Sequence, residues 1–92
     1  MSMMLDVVKK AVRISHNALD DELEDLIEAS RYDLKLSGVS HLKANDDTDP
    51  LIKRAIITYV KANFISDAKE AERFLASYNM LKNHLTLAGD YK

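Results

Sequence analysis

The sequence contains no cysteine, no tryptophan, two glycines and one proline. Without cysteine, the chain has no disulfide, no thiolate nucleophile and no zinc–thiolate site. Two glycines cannot supply a phosphate-binding loop or a dinucleotide fingerprint, and they are too few for the turns of a small β-sheet protein. No apolar run is long enough for a signal peptide or a membrane span. We therefore expect a helical protein that is made in the cytosol and has no membrane partner.

Charge and motif content argue against an enzyme. The 92 residues carry 13 cations and 15 acids, a formal net charge of −2, whereas domains that bind nucleic acid usually show a basic excess. His16, His41 and His84 do not pair at a spacing of three or four residues, so they form no metal-binding motif. No serine lies in a nucleophile elbow. We expect no catalytic residue, no metal, no cofactor and no small-molecule substrate.

Hydrophobic periodicity predicts an all-α fold, a single domain over residues 1–92 with about four helices. The third predicted helix is apolar around most of its circumference, so we expect it at the centre, packed by the second and fourth helices. Its predicted intrachain face is Leu51, Ala55, Ile56, Tyr59 and Val60. The four predicted helices cover residues 3–12, 19–37, 50–65 and about 67–87.

Start and stop signals support these boundaries. Asp49 precedes a proline and Asp67 precedes the fourth helix, so both are predicted N-caps. Ser15 and Asn17 are N-cap types ahead of the second helix, and Gly38 is a predicted C′ stop. Two segments should be irregular: a polar loop over residues 39–49 and a loose tail over residues 90–92.

Three charged segments have more than one interpretation. The acidic run at residues 19–28 is typical of a solvated helix face, although a carboxylate site or a contact with a basic partner would look similar. Residues 45–49 alternate oxygen ligands as a calcium loop does, but Pro50 and Ile56 stand where that motif needs glycine and glutamate, which favours a turn and an N-cap. Cations on the third helix and a short connector after it leave open a small helix-turn-helix-like DNA-binding regulator.

The order of these helices resembles the phage head–tail connector (adaptor) family, also known as phage DNA-packaging proteins, over nearly the whole chain. Residues 5–14 (LDVVKKAVRI) resemble the family's short opening helix, and residues 20–30 resemble its acidic second helix. Residues 49–56 (DPLIKRAI) resemble its third helix, while residues 62–64 and 77–85 resemble the short variant found in phages of Gram-positive hosts. The polar loop after Gly38 is shorter than the insertions that relatives can carry.

The resemblance implies a structural virion protein without catalytic activity. Such subunits form a homo-oligomeric ring of about a dozen copies, in the closed symmetry usual for homo-oligomers. The ring docks under the portal protein, extends the channel through which DNA passes non-specifically, and links the filled head to a tail or stopper protein. We thus expect synthesis in the bacterial host cytoplasm and a final location at the head–tail junction of the virion.

Within such a ring, the sequence offers candidate subunit contacts of two kinds. Acids on the second helix are expected to meet cations on the third or fourth helix of a neighbouring subunit. Apolar residues of the third helix that lie off its intrachain face are expected to pack between subunits. The candidate interface residues are Glu24, Asp25, Lys53, Arg54, Ile57, Phe64, Ile65 and Arg73.

Overall fold

A computed structural model describes residues 3–92, and every regular element in that range is helical. The predicted all-α class is therefore confirmed, with one short helix that the sequence pattern did not indicate. The elements are α1 (Met3–Ala11), α2 (Asp20–Leu36), α3 (His41–Ala44), α4 (Pro50–Phe64), α5 (Ala68–Leu87) and a 3₁₀ turn at Gly89–Tyr91.

The third predicted helix, α4, is the central element, as expected. It packs against α5, α2 and α1. The molecule measures 38 × 31 × 19 Å, and its smallest dimension accommodates about two helix diameters. The buried hydrophobic side chains come from these four helices, from α3 and from the loop before it, and they form one core: Met4, Leu5, Val8, Leu23, Ile27, Leu34, Val39, Ala44, Ile52, Ala55, Ile56, Val60, Tyr78 and Leu85.

The predicted intrachain face of α4 needs one correction. Leu51 is exposed, whereas Ile52, which was not predicted, is fully buried. Both residues lie in the first turn of α4. Ile52 lies on the side of that turn that faces the core, and Leu51 lies on the side that faces solvent. Ala55 and Ile56 are buried as expected, and Ile52 joins them at spacings of three and four residues.

The predicted caps of α4 and α5 are present. The Asp49 carboxylate accepts hydrogen bonds from the backbone N–H groups of Leu51 and Ile52, at 2.9 and 3.2 Å. Asp67 accepts from the first turn of α5 in the same way, at 2.9 and 3.1 Å. Each carboxylate satisfies donors that the helix cannot satisfy internally and faces the positive end of the helix dipole.

The start of α2 differs from the expectation that Ser15 or Asn17 would cap it. Leu19 occupies the N-cap position and makes no side-chain cap bond. The Asn17 side chain instead accepts a hydrogen bond from the Lys9 ammonium at 2.7 Å, and that ammonium also pairs with Asp20 at 2.8 Å. A tertiary contact with α1 therefore replaces the local cap, and it holds the start of α2 against α1.

The loop predicted to be irregular over residues 39–49 contains the one-turn helix α3. Ser40 is its N-cap and accepts a hydrogen bond from the Lys43 N–H at 3.2 Å. The buried Arg31 guanidinium of α2 donates to the Ala44 carbonyl at 3.0 Å and pairs with Asp47 at 2.7 Å. These contacts order the loop, and four residues are too few for periodicity to have revealed the helix.

The C-terminal segment is also ordered, contrary to the predicted loose tail. The Tyr91 hydroxyl donates to both oxygens of the Asp49 carboxylate, at 3.0 and 2.8 Å, and its carbonyl accepts from the Ser40 N–H at 2.7 Å. Burial, followed by the hydrogen bond to Asp49, raises the pKa of Tyr91 to about 12. The last residues are thus fastened to the start of α4 and to α3.

A polar cluster of Tyr78, Lys82 and Asp33 joins α5 to α2. The Tyr78 hydroxyl donates to the Asp33 carboxylate at 2.6 Å, and the Lys82 ammonium contacts the same oxygen at 3.1 Å. Burial, then the hydrogen bond to Asp33, raises the pKa of Tyr78 far above its ordinary value, so the phenol stays protonated. The ring of Tyr78 packs edge-on against Tyr59 at 5.1 Å, which places α5 relative to α4 as well.

Candidate subunit interface

The solvent side of α2 carries acids first and apolar residues afterwards. Asp21, Asp25, Glu28, Tyr32 and Leu36 recur at spacings of three and four residues, and all five are exposed. We name this set the α2 outer face. Tyr32 and Leu36 are 64% and 71% exposed, which is unusual for large apolar side chains next to each other on one helix face. Asp21 and Asp25 form no ion pair with any described residue.

One side of α4 also remains open to solvent. Lys53, Arg54, Ile57, Lys61 and Phe64 lie within about a third of the helix circumference, and none of them is fully buried. We name this set the α4 outer stripe. Ile57 and Phe64 pack partly against the core, while the three cations form no ion pair with a described carboxylate. The stripe is therefore a cationic and apolar surface whose charges are uncompensated within residues 3–92.

The α4 outer stripe ends in a groove of about 390 Å³, which we name the terminal groove. It lies where the end of α1, the end of α4 and the first half of α5 meet. Its walls are mainly apolar, and two cationic residues, Arg13 and Lys61, also line it. The Lys61 ammonium lies 5.4 Å from the centre of the Phe74 ring. The lining residues are Ala11, Val12, Arg13, Lys61, Phe64, Ile65, Ser66 and Phe74.

Arg13, which lines the terminal groove, has an unusual backbone conformation. Its φ is +61°, the only positive φ at a non-glycine position in residues 3–92. The N–H of Ile14 bonds to the Lys9 carbonyl at 2.9 Å, and the N–H of Arg13 bonds to the Lys10 carbonyl at 3.2 Å. This is the Schellman pattern that ends a helix, with arginine at the left-handed C′ position that glycine usually occupies.

The eight residues predicted for a subunit contact fall into three groups. Lys53, Arg54, Ile57 and Phe64 share the α4 outer stripe, and Ile65 continues it into the terminal groove. Glu24 and Asp25 lie instead on α2, Asp25 exposed and Glu24 half-buried. Arg73 is exposed on α5, beside a second depression lined by Glu70, Phe74 and Ser77.

Several residues of these surfaces, including Tyr32, Leu36, Lys61 and Arg13, were not among the predicted contacts. Tyr32 and Leu36 were assigned to the second helix without a surface role, although they follow Asp25 and Glu28 at helical spacing. Lys61 continues the spacing of Lys53 and Ile57, so the same periodicity would have found it. Arg13 carries no local signal, because its conformation follows from how α1 ends.

The acids of the loop between α3 and α4 are used within the fold. Asp46 accepts hydrogen bonds from the Thr48 hydroxyl at 2.6 Å and the Thr48 N–H at 3.0 Å, which lower the pKa of Asp46. Asp47 pairs with Arg31 and Asp49 caps α4. The turn and N-cap interpretation of this segment is therefore the correct one.

Neither a metal site nor a membrane span stands out in the described part of the chain. Across residues 3–92, no three histidine, aspartate or glutamate side chains are grouped so that they could hold a metal ion. In the same range, no helix combines the length and hydropathy that crossing a bilayer requires. The surfaces that remain to be explained are the α2 outer face, the α4 outer stripe and the terminal groove.

A small helical domain whose described residues leave two helix faces and a groove open to solvent is suited to contacts with other proteins. Comparison with protein families gives a more specific identity. The family described as phage connector protein matches residues 4–92, and the chain belongs to that family. It is thus a structural connector component of a tailed phage. No curated protein and no solved structure matches the chain.

Proposed function

We propose that the protein is the ring-forming subunit of a head–tail connector. In this role it docks under the portal, extends the DNA channel, and joins the filled head to a tail or stopper protein. The observation that carries the proposal is membership of the phage connector family over residues 4–92. The protein is accordingly expected in purified virions, at the head–tail junction.

The surface of the subunit supports assembly through contacts between unlike faces. When the α2 outer face of one copy meets the α4 outer stripe of a second copy and the contact is not returned, it is heterologous and leaves one copy of each surface free for the next subunit. Repetition of such a contact closes into a ring when the rotation between subunits divides a full turn. A two-fold dimer would instead make both contacts between the same two copies.

The eight predicted contact residues fit such an interface. Glu24 and Asp25 of one subunit would face Lys53, Arg54 or Arg73 of its neighbour. Ile57, Phe64 and Ile65 would supply the apolar part of the contact. Mixed charge at the edge and apolar side chains inside are the usual composition of a specific interface.

The charge balance also supports a channel through which DNA passes without being held. The chain has a net charge of −2, and on α5 the exposed cations Lys69 and Arg73 flank the exposed acids Glu70 and Glu72. A protein that neutralises many phosphates binds duplex DNA with a steep dependence on salt. The proposed subunit should show neither tight nor salt-steep binding in a gel-shift titration, whereas the helix-turn-helix alternative requires both.

Electron microscopy of negatively stained protein tests the ring directly. The purified chain should form rings at high concentration, or on purified portal complexes. If only single subunits are seen under both conditions, the proposed function is wrong. Tight binding to duplex DNA in the same preparation would transfer support to the DNA-binding alternative.

A further inference from the structure

The α2 outer face and the α4 outer stripe have opposite charges, and their charged and apolar residues follow in the same order along the helix. Along the α2 outer face, acids come first and the apolar pair Tyr32 and Leu36 comes last. Along α4, the cations Lys53 and Arg54 come first, and the apolar terminal groove comes last. Laid side by side in the same direction, the two faces bring opposite charges together at one end and apolar groups together at the other.

The lengths of the two faces agree as well. Asp25 and Leu36 are separated by the same number of residues as Arg54 and Ile65, so each pair spans about 16 Å of helix. Reversing one helix would place Leu36 beside Arg54 and the Asp25 carboxylate in the apolar groove. The reversed arrangement would bring the carboxylate near Lys61 and Arg13, which also line the groove, but it would set the apolar side chain of Leu36 against an exposed arginine and leave the apolar walls of the groove without an apolar partner. The parallel direction matches apolar groups at one end and opposite charges at the other.

From this match, and given that copies assemble as proposed above, we propose that the α2 outer face of one copy binds along the α4 outer stripe of the next copy in a parallel orientation. Leu36 enters the terminal groove beside Ile65. Tyr32 lies over Lys61, where its ring face attracts the ammonium group. Asp25 meets Arg54 at the opposite end, and Glu28 lies at the level of Ile57 between the two ends.

Arg13 provides independent support for an occupant at this end of the groove. Arg13 lines the groove, and its backbone holds a conformation that costs a non-glycine residue free energy. In the proposed contact, the C-terminal end of the neighbouring α2 arrives beside Arg13. The C-terminal end of a helix carries partial negative charge, which an arginine stabilises.

Cysteine cross-linking tests the direction of the contact, because the natural chain has no cysteine. Leu36→Cys and Ile65→Cys are prepared separately, mixed under assembly conditions and oxidised. A disulfide requires the two Cα atoms to lie within about 7 Å, so the pair should cross-link between copies. Leu36→Cys mixed with Arg54→Cys is the matched control for the antiparallel direction and should remain uncross-linked. Met80→Cys, on an exposed part of α5, reports random collision.

Two leucine variants distinguish the proposed contact from non-specific association of exposed apolar side chains. Leu36 and Leu42 are 71% and 83% exposed, and both belong to the region that follows the acidic part of α2. Leu36→Ala should raise the protein concentration needed for assembly by about tenfold, as expected for loss of a buried apolar anchor. Leu42→Ala should leave that concentration unchanged. Equal effects of the two variants would contradict the proposed groove occupant.

Charge reversal gives a third readout. Asp25→Arg and Arg54→Asp should each weaken assembly, and the double variant should recover it, because the pair is restored in reverse. If wild-type rings form but neither the cross-link nor the charge rescue is observed, this contact is wrong and the connector function stands. If no assembly of the wild type occurs with or without portal, both proposals fail.

Discussion

Replacing Arg13 by glycine should make the subunit more stable and its assembly weaker. Arg13 ends α1 with a φ of +61°, at the position where Gly38, with a φ of +116°, ends α2. Each helix end makes the same two types of Schellman hydrogen bond with its own last turn. The end of α2 therefore has the residue type that favours this conformation, whereas the end of α1 has an arginine.

The size of the effect follows from two opposing terms. A left-handed conformation costs an ordinary L-residue about 1–2 kcal/mol, which glycine avoids. Glycine also makes the unfolded chain more flexible, which costs roughly 0.5–1 kcal/mol. Taking the middle of each range, the net gain in the free energy of unfolding is about 0.75 kcal/mol. For a domain of this size, that corresponds to a rise in Tm of roughly 3–6 °C.

Arg13→Ala is the matched control, because it removes the guanidinium but keeps a side chain in the left-handed conformation. Thermal unfolding followed by circular dichroism should show Arg13→Gly above the wild type, and Arg13→Ala at or below it. Ring formation should be weakened in both variants to the same extent. If Arg13→Gly unfolds at a lower temperature than the wild type, the backbone reasoning is refuted. If both variants assemble normally, the guanidinium has no role in the subunit contact.

Three further predictions concern the segments that hold the loops in place. Arg31→Ala leaves Asp47 without its partner in a site that is mostly buried, so the free energy of unfolding in urea should fall by about 2–3 kcal/mol; an unchanged value would show that the ion pair does not order the loop. Gly38→Ala forces a side chain into a glycine conformation and should cost about 1–2 kcal/mol, measured in the same way; a loss below the error of the method would contradict it. Tyr91 has a pKa of about 12 when folded and 10 when unfolded, so the unfolded state loses its proton first and stability should fall as the pH rises from 10 to about 12. Tyr91→Phe, which removes the bond to Asp49, should reduce that loss relative to the wild type, and an identical pH dependence in the two proteins would rule out this origin.

Strong local signals predicted most of the fold. The Asp49–Pro50 pair, Asp67 and Gly38 each act on their own backbone neighbourhood, so their positions in the sequence were sufficient to place three helix ends. The apolar character of α4 on most sides likewise required a central position, which the packing of α2 and α5 confirms. These features depend on few residues that lie close together in the chain.

The features that could not be predicted depend on residues that are far apart. The start of α2 is held by Lys9, and α3 is held by Arg31, so neither element has a sufficient local signal. Tyr91 bonds to a carboxylate that lies 42 positions earlier in the sequence, and for this reason the tail looked loose. A polar contact between residues that are far apart in the chain produces no periodic pattern in the sequence.

For the candidate interface, helical periodicity was informative about composition but not about exposure. It identified Lys53, Arg54, Ile57 and Phe64 as one side of a helix, although it did not determine how much of that side the neighbouring helices cover. Exposure of the α2 outer face depends on the packing of the complete domain. The terminal groove depends on three helix segments that meet only after folding.

The bond between Tyr91 and Asp49 has a practical consequence for anything attached after Lys92. The C-terminal residue leaves the domain from a fixed point beside the first turn of α4, because its neighbour is held there by side-chain and backbone hydrogen bonds. An affinity tag, a fluorescent reporter or a fused partner placed at this end would begin one residue after Tyr91, next to the carboxylate that caps the central helix. Labels are better introduced at Met80 on α5, where the side chain is exposed and the substitution leaves that carboxylate undisturbed.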